Sequence, residues 1–292
     1  MTPATSEEDI HVETFDTPAP ISATIEVGVG DVRINAGERA VSSVEVRPSD
    51  ESRDEDVRAA QLTRVECANG QMLVRTPKPR SWSSRRDGGS VDVAIELPAG
   101  SQVRCHAHVA NVTSEGQLGA CRIRTGLGDI RLDTADTPSL RSGIGDISLD
   151  HATGNAEIAT GSGELRLGRL DGSAVIKNSN GATWVGVAGG DVRLQAANGS
   201  IAVDLACAGV AAKSANGSVR LGEAVRGAVV LETHRGDLEI GIREGTTAWL
   251  DARTAVGTVR NALAAADAPA RSSDAVEVRA RTSIGDIVVR RP

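Results

Sequence analysis

From Gly126 onward, apolar and polar residues alternate in short runs that return at a fixed interval. Gly145, Gly163, Gly181, Gly199 and Gly217 are each 18 residues apart, and the second and fourth positions after most of them are aliphatic: Ile147 and Leu149, Leu165 and Leu167, Ile201 and Val203, Val219 and Leu221. Alternation at a period of two describes a strand with one buried face. A second series, Gly154, Gly172, Gly190, Ala208 and Arg226, keeps the same spacing and opens another strand. Its inward pairs are Ala156 and Ile158, Ala174 and Ile176, Val192 and Leu194, Val210 and Ala212, and Ala228 and Val230. The pattern predicts an all-β chain, a single-chain, β-helix-like β-solenoid with 18-residue turns and two short strands per turn. No turn could stand alone, because each buries its apolar face only against its neighbours.

The period stretches at the ends, where Gly128 precedes the series by 17 and Gly236, Gly257 and Gly285 follow at 19, 21 and 28. Residues 1–110 form an N-terminal β segment and cap, in which ATIEVGVGDVRINAG from Ala23 is an early copy of the signature and reads as a first hairpin. The stretch SDESRDEDVRAAQLTRVE predicts one short helix, with Ser or Asp caps, an acidic first turn and helical spacing of Val57, Ala60 and Leu62. Residues 77–90 read as a mobile loop, followed by a strand pair from Val91 and from Gln102. Residues 111–245 are the regular solenoid, and 246–292 a C-terminal turn and closing strand, all in one continuous domain. Irregular β segments at both ends cap strand edges that would otherwise invite polymerisation.

Composition narrows the chemistry. The formal charge of −7 argues against general nucleic-acid binding, and with no Tyr, one Phe and three Trp the stacking platforms for bases or sugars are scarce. MTPATSEEDI has neither a basic n-region nor an apolar h-region, and no stretch is long enough to span a bilayer, so integral membrane association is not expected. Cys67, Cys105, Cys121 and Cys207 form no C-x-x-C pair and alternate with apolar neighbours, as buried free thiols do. Both observations point to a cytoplasmic protein.

Several constellations carry candidate chemistry. An acidic residue often follows the first-strand glycine, and Asp129, Asp146 and Glu164 would stack as a carboxylate column suited to a cation or to paired acids for glycoside chemistry. Arg131 and Arg166 face the same way two residues on, so the column reads first as a compensated, solvated face with no catalytic role. A calcium ladder is disfavoured because the equivalent places become Ala182, Ser200 and Ser218 in the most regular turns. His106 and His108 share one strand face and form the alternative metal site, for which no third ligand can be named. Trp184 points outward beside Arg166, a contact point for a partner, and Trp82, Arg85 and Arg86 form the one basic cluster containing an aromatic. Asn180, Asn198 and Asn216 stack one turn apart as a structural amide ladder. No phosphate loop, nucleophile elbow or Ser/His/Asp arrangement occurs, and no cofactor is expected.

The segments GVGDVRI, the GxGDI turns, KNSNGATWVG and RARTSIGDIVVRR together resemble a bacterial family of unknown function with β-strand repeats, described as putative adhesin or toastrack domain proteins, and in particular its actinobacterial type. The resemblance spans nearly the whole chain. It implies a β-solenoid-like repeat domain without established catalytic residues, with relatives linked to envelope-stress systems. Together with the poor catalytic endowment, it predicts a non-enzymatic scaffold or interaction protein with an unidentified protein partner or self-association. The alternatives are a polysaccharide-acting β-helix enzyme using the stacked carboxylates, and a calcium-stiffened or adhesin-like solenoid.

Overall fold

A computed structural model describes residues 11–77, 89–263 and 275–292. They are all-β apart from one helix, and the chain divides into two compact units, Met1–Asp136 with Leu140–Gly143, and Thr137–Ser139 with Ile144–Pro292. No helix among the described residues is long and apolar enough to cross a membrane.

The second unit is a parallel β-solenoid. One face stacks Ile147–Ala152, Leu165–Leu170, Thr183–Ala188, Ile201–Ala206, Val219–Ala224 and Leu238–Ile242, and the regular turns pair residues 18 apart, such as Leu165 with Thr183 and Thr183 with Ile201. The other face stacks Ala156–Ser162, Ala174–Asn180, Val192–Asn198, Val210–Asn216 and Gly227–Arg235 in the same sense. The predicted inward pairs are buried, with Ile147, Leu149, Ile158 and Leu167 at 0 % exposure. Two departures matter. The inward pair of the last regular strand is Val229 and Leu231, not Ala228 and Val230, because 19 residues separate Gly217 from Gly236. The extra residue is taken up at Gly227, whose φ is +95°. A third inward column that period-two reading misses, Ala152, Leu170, Ala188, Ala206, Ala224 and Ile242, is also fully buried where each strand bends toward the next.

The corner glycine is required by sterics. At Gly181 φ is +134°, and a Cβ there would sit 2.1 Å from the Gly163 carbonyl oxygen. Backbones of successive turns meet at this corner too closely for any side chain.

The last chain segment does not form the outer edge. Ala275–Ile284 and Ile287–Arg290 insert between the Gly227–Arg235 and Leu238–Ile242 strands on one side and Thr247–Val256 and Val259–Asn261 on the other. The more apolar strands take the inner place: Val276, Val278, Ile287 and Val289 are buried, while Trp249, Val256 and Val259 lie exposed outside them.

In the first unit, Ser22–Gly37 is one long strand and not a hairpin. It turns a corner at Gly30 (φ +139°), and its two halves align in parallel with Gln102–Leu118 on one side. On the other side, Gln71–Arg75 pairs with the first half and Val91–Pro98 with the second. The strands starting at Val91 and Gln102 thus flank this strand instead of pairing with each other. Cys121–Leu127 and Ile130–Ala135 continue the parallel stack. Antiparallel strands close the start of this unit: His11–Asp16 on Val41–Pro48, that strand on Val91–Pro98, and Arg64–Ala68 on Gln71–Arg75. The predicted helix is Asp54–Gln61, with acidic residues in its first turn. Its N-cap is Arg53 without a side-chain cap, and its buried residues are Asp56, Ala59 and Ala60. Asp56 accepts the Ser90 N–H at 2.8 Å, which fixes the helix to the chain entering Val91–Pro98.

A candidate interaction face on the regular solenoid

Trp184 lies on the Thr183–Ala188 strand, where alternation turns Thr183 and Val185 inward and the indole outward. Its register neighbours are Arg166 one turn before and Ala202 one turn after. The ring is held down at two points. Nε1–H donates to Asp204 at 3.0 Å, and the six-membered edge covers Gly186, where a Cβ would come within 3.2 Å of Trp184 Cη2. The indole remains 40 % exposed. Gly168, Gly186, Ala202 and Gly222 bring almost no side chain to this face, so the fixed aromatic stands among small residues, with Arg166, Asp204 and Arg220 as the larger side chains around it. Arg166 turns toward Glu164, its Nη2–H donating to that carboxylate at 3.1 Å.

The acidic residues at the corner are engaged within the protein, by backbone or by arginine. Asp146 accepts the Glu164 N–H at 2.7 Å, and Glu164 in turn pairs with Arg166. Asp129 pairs with Arg131 at 3.0 Å, and its own N–H donates to Asn111. The same device recurs where Asp237 accepts the Asp286 N–H and Asp286 accepts the Thr258 N–H, both at 2.8 Å. A residue just past the corner glycine thus supplies an acceptor for the next turn. The amide ladder is in place too, with Asn198 donating to Asn180 and Asn216 to Asn198, each at 3.0 Å.

His106 and His108 stand on the outer face of Gln102–Leu118, their rings edge to face with centroids 5.4 Å apart. With Glu26, Val27, Gly28, Thr76 and Pro77 they line a cavity of about 250 Å³. Glu26, the register neighbour of His106, is engaged by two Arg75 hydrogen bonds at 2.8 and 3.1 Å. Among the described residues no group of three His, Cys, Asp or Glu is arranged to hold a metal. Trp82, Arg85 and Arg86 lie outside the described residues.

Of the four cysteines, Cys105 and Cys121 are buried and Cys67 and Cys207 half-buried, all as free thiols. Burial pushes the Cys105 thiol up to about 12.

Residues 22–290 match the family described as Toastrack DUF4097, and the chain belongs to it. The protein is therefore a β-repeat protein of a family whose role is uncharacterised. Among solved structures it is similar to a putative adhesin from Bacteroides fragilis at 11 % identity and a TM-score of 0.42, over 97 % of this chain and 98 % of that one. It is also similar to a putative adhesin from Parabacteroides merdae at 12 % identity and a TM-score of 0.38, over 97 % of each chain. No curated protein matches it.

Proposed function

We propose that this protein is a non-enzymatic scaffold that binds a protein partner on the Trp184 face of its solenoid. The observation carrying this reading is the fixed indole, anchored by Asp204 and seated over Gly186, half exposed among small residues and flanked by charged ones. A partly exposed, immobilised Trp loses little conformational freedom on binding, which is why such residues anchor interfaces. The commitment of Asp146 and Glu164 to backbone and arginine supports a structural role for that column over a catalytic one. We place the scaffold in the cytoplasm, a location that suits the buried free thiols Cys105 and Cys121, and in envelope-stress signalling on the family resemblance alone.

Capture from a lysate of the native host, by wild type and by Trp184→Ala in parallel, tests the binding face. A protein retained by wild type and lost by the variant is the expected result. Equal capture by both, or none above background, overturns it. Fractionation of that host for this protein tests the location, and changed sensitivity of a deletion strain to envelope-damaging agents tests the process.

A further inference from the structure

The outermost turn of the second unit consists of Thr247–Val256 and Val259–Asn261. The longer strand pairs on one edge with Ala275–Ile284, and among the described residues no strand pairs with its other edge. Its inward side chains are only half covered: Leu250 is half-buried, whereas Val278, its neighbour one turn inward, is 1 % exposed. Trp249 and Val256 are 68 % and 63 % exposed. The core therefore ends on an edge with unpaired backbone groups, where a further strand adds hydrogen bonds and apolar cover together.

The sequence of this strand, TAWLDARTAV, selects its partner by being complementary to itself in reverse. Laid antiparallel against a second copy with Ala252 opposite Ala252, Asp251 of each chain falls opposite Arg253 of the other. On the same outer face Trp249 meets the small Ala255. On the inner face Leu250 meets Thr254 and Ala248 meets Val256, so the inward residues continue the core across the junction. A one-residue slip sets inward residues against outward ones. Two-residue slips oppose Asp251 to Asp251 or Arg253 to Arg253, which is repulsive. Within one chain Asp251 already lies between two guanidiniums, 2.9 Å from Arg253 and 3.6 Å from Arg281, so the strand holds cationic charge free to meet a second carboxylate.

We propose that two copies of this chain associate end to end through the Thr247–Val256 edges, antiparallel and centred on Ala252. The contact is two-fold and consumes the edge in both copies, so it closes at a dimer and does not extend into a filament. It is independent of the Trp184 face and stands or falls separately from partner binding there.

Light scattering on the whole protein, from low micromolar to several hundred micromolar, reads the mass directly. The expected result is a concentration-dependent rise from the 30.2 kDa chain mass to about twice that value and no further. Asp251→Arg and Arg253→Asp should each hold the protein at the monomer mass, and the double variant D251R/R253D should recover the dimer. Because the same exchange also restores the Asp251–Arg253 pair within one chain, the melting temperature of each single variant is measured beside its mass, and an unchanged value assigns the lost dimer to association and not to folding. A monomer at every concentration overturns the proposal, whether the edge is free or covered by another segment of the same chain. A dimer that persists unchanged in both single variants overturns it as well, because the contact then lies elsewhere.

Discussion

Asn178, buried inside the solenoid, donates its Nδ2–H to the carbonyl of Gly163 one turn before, at 3.0 Å, and reaches the carbonyl of Gly181 in its own turn at the same distance. Its position three residues before the corner glycine is polar in nearly every turn. Thr160 donates to Gly145, Ser214 to Gly199, Thr233 to Gly217 and Thr282 to Gly236, all between 2.9 and 3.3 Å. The corner forces a kink that leaves a glycine carbonyl pointing inward, and a buried carbonyl without a donor is costly. The exception is Ala196, register neighbour of Asn178, and the longer amide of Asn178 covers the Gly181 carbonyl that residue 196 would otherwise serve.

These two positions should therefore be coupled. Asn178→Thr keeps the reach to Gly163 but gives up Gly181, and should destabilise by about 1–2 kcal/mol. Ala196→Ser should be near neutral in the wild-type background, yet recover about 1 kcal/mol when Asn178 is already Thr. Chemical denaturation of the four proteins in the cycle measures this. Additive effects would show that the two rungs are capped independently.

The turn, the period and the inward aliphatic pairs were legible because they depend on local alternation and on glycine, both visible at fixed spacing. The polar column at Thr160, Asn178, Ser214 and Thr233 was equally periodic in the sequence. Its burial is not visible there because Ser, Thr and Asn near a glycine read as ordinary corner residues, and only the inward kink encloses them. The seating of Trp184 on Gly186 and Asp204 was invisible for another reason. It joins two positions on one strand with a third on the next turn, a geometry that depends on the ring's rotamer. The insertion of Ala275–Ile284 inside Thr247–Val256 reverses chain order, which no period along the sequence can announce.

The corner glycines should differ sharply from those in exposed turns. At Gly199 φ is +142°, and a Cβ would lie 2.0 Å from the Gly181 carbonyl oxygen, so Gly199→Ala must push successive turns apart. A loss above about 3 kcal/mol is expected, among the larger effects a single substitution produces. Gly70, with φ of +71° and nothing within 4 Å of its Cβ position, carries only the left-handed backbone cost, so Gly70→Ala should lose about 1 kcal/mol. Melting curves of the two variants separate steric stacking from backbone preference. Equal losses would mean that the solenoid relaxes around the added methyl.

Acid should weaken the end of the solenoid through Asp286. The Thr258 backbone N–H, at 2.8 Å, and then its hydroxyl, at 3.0 Å, hold this carboxyl below its ordinary value of 3.8. A carboxyl lowered in the folded state favours folding above the unfolded value, and that contribution disappears as pH falls through the folded one. The stability difference between wild type and Asp286→Ala should be constant from neutral pH down to about 5 and shrink below about 4. Urea titrations at a series of pH values provide the comparison. A difference that persists unchanged at the lowest pH would assign the effect to packing and not to the ionised carboxylate.

Thiol chemistry reports on whether the first unit opens. The thiolate is the reactive form, and Cys105 is doubly protected, being 1 % exposed with a thiol pushed up to about 12 by desolvation. Cys121 is 3 % exposed and lies on the adjacent strand, its register partner Val103 two residues before Cys105. Cys67 and Cys207 are only half-buried, and burial raises the Cys67 thiol as well. With an aromatic disulfide reagent near pH 8, the native protein should react at Cys67 and Cys207, leaving Cys105 and Cys121 intact until denaturant is added. Because both protected thiols sit inside the stack that carries His106 and His108, their labelling rate in the native protein measures how often those turns separate. Reaction of all four at the rate of a free thiol would mean that this stack is open in solution and that its burial does not hold.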